Sequence, residues 1–339
     1  MKKICLSIFL FLVFFPKFFG QIGGKHTYEF LNLMTAPRQA ALGGKTVANY
    51  DQDVNQALYN PATINDQMHN HLAVNYANYY GEVKYGTAAY AYTINPKIQT
   101  FYVGVNYVNY GSFEGYDEVG NATNSFTGSE TALYIGYARN IPNTNIFLGA
   151  NLKFITSTLE SYNSVGLATD IGAIYRNPEN NLNFAIVVRN FGTQLTTYAG
   201  DRESLPFEVM AGVSKKLQHL PLRWQITLDQ LQNWNLAYSN PNRAETQLDG
   251  STKVEKVNFI NEFFRHVMLG AELFPDKGFN IRLGYNFRRA QELKITDQRT
   301  FSGFSAGFGL RINKFKFDYS YSKFTVGANT SLFGLTINL

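Results

Sequence analysis

Segments of about ten residues, in which apolar side chains alternate with polar or small ones, recur through most of the chain. In residues 146–154, for example, Leu148 and Leu152 fall on one face of an extended strand, whereas Asn151 and Lys153 fall on the other. Successive side chains of a β-strand point to opposite faces of the sheet. A transmembrane barrel requires this pattern, because its wall faces lipid on one side and a polar lumen on the other. A soluble β-sandwich alternates in the same way and is the competing interpretation.

The number of segments favours the barrel, since single-chain outer-membrane barrels have an even number of strands. We predict an all-β fold, a 14-stranded antiparallel transmembrane β-barrel. The predicted strands are 71–80, 83–94, 99–110, 129–139, 145–157, 165–176, 181–191, 206–217, 222–234, 263–274, 278–289, 301–312, 314–324 and 329–339.

The connections between these strands form two sets that alternate along the chain. One set is short and rich in Pro and Asn: 95–97, 141–145, 177–180, 218–221, 275–277 and 313. The other set is longer: 111–128, 158–164, 192–205, 235–262 and 290–300. Short periplasmic turns that alternate with longer outer loops are typical of outer-membrane barrels, and a sandwich has no reason to sort its loops in this way. Both chain ends lie on the short-turn side, so we expect the long loops at the cell surface.

The N-terminus predicts export. Lys2 and Lys3 precede an apolar core over residues 4–15, which is too short to cross a bilayer as a stable helix. We therefore predict a secretory signal peptide over residues 1–20, cleaved near Gly20. A retained anchor is the alternative.

Composition excludes several function classes. The sole cysteine, Cys5, lies in the signal peptide, so the mature chain has no thiol for disulfides, metal binding or nucleophilic catalysis. The net charge is +5, and removal of Lys2, Lys3 and Lys17 leaves +2, which does not favour a nucleic-acid partner. After residue 20 no run approaches 18 continuous apolar residues, so no transmembrane helix is predicted.

Residues 21–70 lack the strand pattern and precede the first wall segment. They contain a double glycine that permits positive φ, two aspartates that can cap a helix, and an Asn-Pro pair typical of a helix start. A fourteen-stranded barrel encloses more space than its wall side chains fill. We therefore predict that residues 21–70 form a hatch inside the lumen of a barrel formed by residues 71–339. The residues of the predicted hatch motif are Gly43, Gly44, Asp51, Asp53, Asn60 and Pro61.

A nucleotide-binding loop is the competing interpretation of this segment. Gly44-Lys45-Thr46 resembles the end of a phosphate-binding loop, but Gln39 stands where the first glycine is required and no strand precedes it. We therefore reject this alternative.

Several charged residues share the parity of the lumen face. A charge buried in the lumen requires a partner, and Arg38, Asp51 and Asp53 of the hatch are available. The alternative is that these side chains face lumenal water without partners. The candidate lumen charges are Lys153, Asp170, Arg189, Arg282, Arg311 and Asp318.

The sequence does not favour an enzyme. No Ser/His/Asp arrangement or nucleophile elbow is recognisable. His69 and His71 lack the Cys or acidic neighbours of a metal site, and His266 shares the lumen parity of its strand, where it would act as a hydrogen-bonding side chain. We expect no catalytic residues, no metal and no cofactor.

The longest outer loop, residues 235–262, is the leading candidate for contact with a partner, because loops of this length are often functional. Residues 111–128 are the second candidate. A solvated loop, or one that folds back over the barrel mouth, is the alternative. The candidate contact residues are Trp234, Asn240, Pro241 and Arg243.

The N-terminal run from Gly24 to Ile64 resembles the PorQ family, outer-membrane proteins of the Bacteroidetes type IX secretion system that are grouped with PorV among FadL-like barrels. The similarity extends over nearly the whole chain. The motifs that carry it are His26-Thr27-Tyr28-x-Phe30-Leu31-Asn32-Leu33, Ala41-Leu42-Gly43-Gly44, Asp53-x-Asn55-x-Ala57-Leu58-x-Asn60-Pro61, Tyr110-Gly111-Ser112-Phe113, Tyr116-Asp117-Glu118-x-Gly120-Asn121 and Arg189-Asn190-Phe191-Gly192.

This resemblance implies a fourteen-stranded barrel with an N-terminal hatch and a role in a cell-surface attachment complex. The expected partners are a PorZ-like surface protein, a PorV-like barrel and a PorU-like sortase, together with membrane lipid and lipopolysaccharide. In such a complex the chain would anchor the surface protein and perform no chemistry itself.

Two other functions stay open, a FadL-type channel for hydrophobic solutes and a small-solute porin. A FadL-type channel needs a break in one wall strand, and no proline interrupts a predicted strand. A porin needs an open lumen, which a hatch of about fifty residues opposes.

Overall fold

The computed structural model describes residues 26–79, 83–95, 99–236, 245–246, 252–253, 258–293, 301–324 and 328–339. The predicted signal peptide and the candidate residues Asn240, Pro241 and Arg243 lie outside these described residues.

The described strands form a closed barrel in which every neighbouring pair is antiparallel. The first and last strands close the wall, since His71 pairs with Asn338 and Asn78 pairs with Ser331. The predicted fourteen-stranded antiparallel barrel is confirmed. The barrel strands are β1 (His71–Asn78), β2 (Lys84–Asn95), β3 (Gln99–Phe113), β4 (Phe126–Asn140), β5 (Ile146–Leu159), β6 (Tyr162–Asn177), β7 (Leu182–Thr196), β8 (Glu208–Lys216), β9 (Leu222–Leu228), β12 (Val267–Leu273), β13 (Phe279–Asn286), β14 (Phe304–Ile312), β15 (Phe315–Lys323) and β16 (Asn329–Asn338). Two short strands, β10 (Glu245–Thr246) and β11 (Thr252–Lys253), pair with each other and form a separate sheet among the described residues.

The wall has an apolar outer face and a polar inner face. On β5, Leu148 and Leu152 are 47% and 55% exposed, whereas Asn151 and Lys153 are fully buried. The same alternation recurs on the other long strands. An outer surface this rich in exposed apolar side chains is unfavourable in water and suited to hydrocarbon.

The connections differ between the two ends of the barrel. At one end, the short-turn end, short segments such as residues 141–145 and 313–314 join the strands. The prediction of a long loop at 158–164 is wrong. β5 and β6 continue until Leu159 pairs with Tyr162, so a tight hairpin turn joins them. Glu160 in the resulting turn adopts a φ of 57°, which a tight hairpin requires.

Residues 26–70 fold into short helical pieces joined by turns. They comprise four 3₁₀ segments (Glu29–Asn32, Val54–Leu58, Pro61–Thr63 and Asp66–Met68) and helix α1 (Pro37–Ala41). Asp53 caps one 3₁₀ segment by accepting a hydrogen bond from the Asn55 amide at 3.1 Å, and Asn60 caps another by accepting one from the Ala62 amide at 2.9 Å. None of the helices in the described residues is long and apolar enough to cross a membrane.

These pieces contact the wall on several sides. Helix α1 packs against β13, β14, β15 and β16, the Pro61–Thr63 segment against β4, β5 and β6, and the Val54–Leu58 segment against β1 and β2. The segment, which we call the hatch, is therefore surrounded by the wall. Wall glycines allow this packing, because a Cβ at Gly149 would collide with Pro61 and a Cβ at Gly284 with Gly43.

On one side of the barrel the strands are shorter than predicted. The predicted segments 222–234, 263–274 and 278–289 correspond to the much shorter β9, β12 and β13. The apolar residues that were predicted to lie in longer versions of β12 and β13 belong to two helices at the end opposite the short turns.

These two helices are α2 (Phe259–Arg265) and α3 (Phe287–Glu292). Asn258 and Asn286 cap them by accepting hydrogen bonds from the backbone amides of Asn261 and Arg289, at 2.8 and 2.9 Å. A run of apolar residues is compatible with either a strand or a helix, and the asparagine cap in front of each run favours the helix. The predicted strands 263–274 and 278–289 were too long because these caps were not recognised.

A charge placed on the outer face tests the orientation of the wall. Leu152→Arg puts a cation at the middle of β5, and we expect it to lower the free energy of unfolding from lipid vesicles by about 2–4 kcal/mol. Denaturant titration of vesicle-inserted protein measures the difference. The matched control is Val119→Arg, at a residue that is 86% exposed in the loop after β3, where we expect a change within about 0.5 kcal/mol. Equal effects of the two substitutions would contradict a lipid-facing β5.

Candidate functional site

An ion-pair network between the hatch and the wall is the most developed polar site in the described residues. Its centre is Arg38 of α1, which is 5% exposed. Its guanidinium donates to Asp51 of the hatch through two parallel hydrogen bonds of 2.9 and 2.8 Å, and to Asp53 at 3.2 Å. It also donates to Glu272 of β12, at 3.2 and 2.9 Å. Arg38 thus joins two hatch carboxylates to a wall carboxylate.

The wall side of this network extends over four strands. Glu272 accepts further hydrogen bonds from Arg282 of β13 at 2.9 Å and from Arg223 of β9 at 3.2 Å. Arg223 reaches back to Asp51 at 2.6 Å, and Arg282 donates to Asp318 of β15 at 2.6 Å. The hatch is therefore held by charges on β9 and β12, which are in turn held by their neighbours.

A second cluster holds the hatch on β8 and β7, the next strands around the wall after β9. Lys45 of the hatch donates to both carboxylate oxygens of Glu208 on β8, at 2.7 Å each. Arg189 of β7 donates to the same carboxylate at 3.1 Å and to the backbone carbonyl of Leu31 at 3.3 Å. Its guanidinium lies 5.7 Å from the ring centre of Tyr59. Arg189 thus binds both the carboxylate partner of Lys45 and the backbone of the hatch.

A third pair lies within the wall. Lys153 of β5 forms an ion pair with Asp170 of β6 at 2.7 Å, and both side chains are fully buried. Lys153 also donates to the side-chain oxygen of Asn190 at 2.6 Å, and Asp170 accepts from the Asn190 amide at 2.9 Å.

A β-bulge in β7 explains this arrangement. Thr169 pairs with Phe191 and Ile171 with Val188, so Arg189 and Asn190 together oppose one residue of β6. Asn190 has a φ of 57°, and both bulged side chains are buried. The bulge also ends the pairing with β8, which stops at Arg189. No proline lies in this strand, and the bulge interrupts its pairing without one, so the absence of proline does not exclude an interruption of the wall.

The remaining predicted residues lie apart from these clusters. Arg311 is exposed at the short-turn end, beside a small pocket that Gln52, Asp53 and His71 also line. Gly43 and Gly44 adopt φ of 100° and 141° where the hatch meets β12 and β13. Trp234 is 39% exposed at the long-loop end, with its ring stacked on His266 at 4.9 Å.

The histidines have hydrogen-bonding roles. The His69 ring accepts from the Thr93 amide at 3.0 Å, and the His71 ring lies 3.1 Å from the His69 carbonyl. The His266 ring lies 2.7 Å from the Asp229 carbonyl. No group of three or more His, Cys, Asp or Glu in the described part of the chain is arranged to hold a metal ion.

Sequence reasoning missed four members of the network: Lys45, Glu208, Arg223 and Glu272. The sequence contained a signal for the three wall residues. Each occupies the inner face of its strand, as Arg223 does together with Gln225 and Thr227, while the opposite face is apolar. Their pairing with the hatch is a long-range contact that periodicity does not reveal.

A cavity of about 410 Å³ opens beside the hatch near the long-loop end. Met34, Met268 and Phe324 form apolar parts of its lining, and Arg289 of α3 contributes a cation. The Nη2 atom of Arg289 donates to the Gly43 carbonyl at 3.0 Å, while its buried Nη1 atom has no hydrogen-bond partner among the described residues. The cavity therefore combines apolar side chains with charged side chains of both signs, Lys45, Asp229, Arg288, Arg289 and Glu292.

No family model and no curated protein matches the chain. Among solved structures, a FadL homologue from Pseudomonas aeruginosa is similar, with a TM-score of 0.51 and 11% identity over 90% of this chain and 98% of that chain. CdiB from Acinetobacter baumannii has a TM-score of 0.35 and 10% identity, over 79% of this chain and 59% of that one. A KdgM porin has a TM-score of 0.33 and 6% identity, over 79% and 99%. The first similarity shows that the fold is a FadL-like barrel, and the other two are too distant to carry an argument.

The electrostatics of the hatch favour the charged form of Asp51. Burial alone would raise the pKa of its carboxyl group, but Arg38 and Arg223 outweigh burial and hold the pKa well below its usual range. Lys45 shows the opposite balance, since burial lowers the pKa of its ammonium group although Glu208 opposes the shift.

Removal of one buried carboxylate tests the network. We expect Glu272→Gln to lower the free energy of unfolding by up to about 3–5 kcal/mol, because Arg38, Arg223 and Arg282 each lose one of their carboxylate partners in a buried site. The matched control is Asp276→Asn, which breaks an exposed ion pair with Lys216 and should cost at most about 1 kcal/mol. Denaturant titration at neutral pH measures both, and equal losses would contradict a structural role for the buried network.

The lowered pKa of Asp51 predicts a pH dependence. Its carboxyl titrates lower in the folded state than in the unfolded state, so the stabilisation is fully present above the unfolded pKa of about 4. It is lost as the pH falls toward the folded pKa. Relative to Asp51→Asn, the wild type should therefore be more stable at pH 7, and the difference should shrink steadily below about pH 4. A difference that is constant from pH 7 to pH 2 would refute the assignment.

Proposed function

We propose that this protein is an outer-membrane scaffold of the type IX secretion system, in which its outer loops anchor a PorZ-like surface protein beside a PorV-like barrel and a PorU-like sortase. The observation that carries the proposal is the clamped hatch, which occupies the lumen and is bound to the wall by buried ion pairs. The sequence resemblance to the PorQ family supplies the identity of the complex.

The outer surface supports the membrane location. Exposed apolar side chains cover the wall, and the described wall strands close on themselves, so none of these fourteen strands forms the edge of an open sheet. β1 begins and β16 ends at the short-turn end, as in outer-membrane barrels whose short turns face the periplasm. In that orientation the long loops face the cell surface.

The clamp favours a scaffold over a conduit. Passage of a solute along the barrel axis requires displacement of the hatch, and this separates Arg38 and Lys45 from Glu272 and Glu208. Breaking a buried ion pair costs up to about 3–5 kcal/mol, and the cost is greatest for Lys45, whose carboxylate partner is Glu208, whereas Arg38 keeps Asp51 and Asp53. A scaffold needs no such movement and gains rigidity from the same contacts.

The loop between β3 and β4 offers a preorganised surface for a partner. Asp117 accepts hydrogen bonds from the amides of Val119 and Asn121, at 3.0 and 2.8 Å, and orders the tip. Tyr116 and Val119 are 60% and 86% exposed at this tip. An ordered loop loses little conformational entropy on binding, so its apolar side chains are suited to contact a surface protein together with the part of the loop 235–262 that precedes α2.

A FadL-type channel for hydrophobic solutes is the second candidate function. The bulge at Arg189 and Asn190 favours it, as does the cavity beside Met34, whose lining includes the apolar side chains of Met268 and Phe324. In this case a solute would enter the cavity from the long-loop end and leave sideways through the wall, and the hatch would keep its position.

An affinity purification from the native outer membrane distinguishes these functions. We expect the tagged wild type to retain a large soluble surface protein and a second FadL-like barrel, identified by mass spectrometry. Deletion of residues 240–256 or Val119→Asp should reduce this recovery about tenfold, as loss of one well-packed contact does. The matched control is Leu220→Asp, an exposed residue at the short-turn end, which should leave recovery unchanged.

Other outcomes oppose the scaffold. Intact barrel recovered alone, with lipid bound in its cavity, would favour the channel. Equal loss of partners from the Val119 and Leu220 variants would show that neither effect comes from a surface contact. Hydrolytic turnover by the purified barrel would overturn the expectation that it is not an enzyme.

A further inference from the structure

Helix α2 has its polarity reversed relative to a helix on a water-exposed surface. Its charged residues Glu262 and Arg265 point toward the protein and are only 6% and 7% exposed. Its large apolar residues point outward: Phe259 is 70% exposed, Ile260 62%, and Phe264 42%. A helix in contact with water shows the opposite distribution, so this one indicates an apolar environment on its outer side.

The orientation of α2 is fixed by several contacts. Asn258 caps its first turn, and Glu262 accepts a hydrogen bond from the Leu236 amide. The ring of Phe259 stacks on Trp234 at 5.6 Å. A rotation that exposed the charges would break these contacts, so the outward apolar face belongs to the folded structure.

The wall beneath this helix is too short to cross a hydrocarbon layer. β9 and β12 have seven residues each, against fourteen in β5. At about 3.3 Å per residue and a tilt of about 40°, seven residues span about 18 Å, whereas the apolar band of such barrels is about 25 Å tall. Another apolar element must cover the remaining height on this side.

An unbroken line of aromatic rings connects the wall to α2. Tyr285, the last outward residue of β13, contacts Phe287 with ring centres 4.9 Å apart. Phe287 contacts Phe264 at 4.9 Å, and Phe264 contacts Phe263 at 5.8 Å. The apolar outer surface of the barrel thus continues directly onto the helix.

We propose that α2 is embedded in the outer leaflet of the membrane, where its apolar face contacts lipid at the boundary between headgroups and acyl chains. Aromatic rings are favoured at this depth because one part of the ring meets hydrocarbon while another meets polar groups. The helix then supplies the apolar height that β9 and β12 lack. Trp234, stacked on Phe259, becomes part of this lipid-facing surface and is removed from the contact site of a surface protein.

Fluorescence quenching by brominated lipid tests the proposal. The chain has two tryptophans, Trp224 and Trp234. Both are replaced by phenylalanine, and a single tryptophan is introduced as Phe263→Trp or, in a separate variant, Ile260→Trp. Each variant is inserted into phosphatidylcholine vesicles that are unlabelled, brominated at carbons 6 and 7 of the acyl chain, or brominated at carbons 11 and 12.

We expect lipid brominated near the headgroups to reduce the fluorescence at both positions by at least about twofold, and more than lipid brominated deeper in the chain. Acrylamide in the water should quench these positions weakly. Val119→Trp in the same background is the control for a residue in water. We expect acrylamide to quench it strongly and brominated lipid to quench it weakly. A variant with Trp224 as its only tryptophan, on the outer face of β9, is the control in lipid.

The proposal is overturned if Phe263→Trp and Ile260→Trp are insensitive to brominated lipid and as accessible to acrylamide as Val119→Trp. The face of α2 would then be a surface for a protein. Migration of unheated samples in gels verifies insertion, and either variant alone suffices if the other does not fold. Because the vesicles contain no other protein, the result is independent of the scaffold proposed above.

Discussion

The structure depends on the burial of charge between the hatch and the wall. Arg38 and Lys45 lie in a space that a fourteen-stranded wall cannot fill with its own side chains, and each is neutralised by a wall carboxylate, Glu272 or Glu208. Without these partners the desolvation of each cation would be strongly unfavourable. The buried charges therefore fix the hatch inside the barrel. They also require carboxylates at the wall positions that face Arg38 and Lys45.

The two sides of the wall differ in their polar contacts with the hatch and in strand length. The strands from β3 to β7 are long, and a bulge at Asn190 turns an extra side chain inward to bind Lys153. The strands that carry Arg223, Glu272 and Arg282 are short, and α2 and α3 lie at the long-loop ends of β12 and β13. The side of the barrel with short strands therefore has the Arg38 network inside and the two helices outside. The side with long strands has the bulge and the Lys153 ion pair inside.

The functional hypotheses divide along the same line. The clamp and the preorganised loop around Asp117 support a scaffold, whereas the bulge and the cavity beside Arg289 support a channel that leaves the hatch in place. Both accept a FadL-like fold, so the fold does not separate them. The difference lies in whether the chain's specific contacts are made with a surface protein or with an apolar solute.

The sequence by itself determined the barrel, its strand number and the polar face of each strand, because side-chain alternation and turn chemistry are local properties. It also predicted a cap at Asn60 and one at Asp51 or Asp53, and the structure shows the caps at Asn60 and Asp53. Only the tertiary structure decided the partners of Arg38, the bulge at Asn190, and the reversal of α2. These depend on which strands meet across the lumen and on how far the wall extends, and such long-range relations leave no periodic signal along the chain.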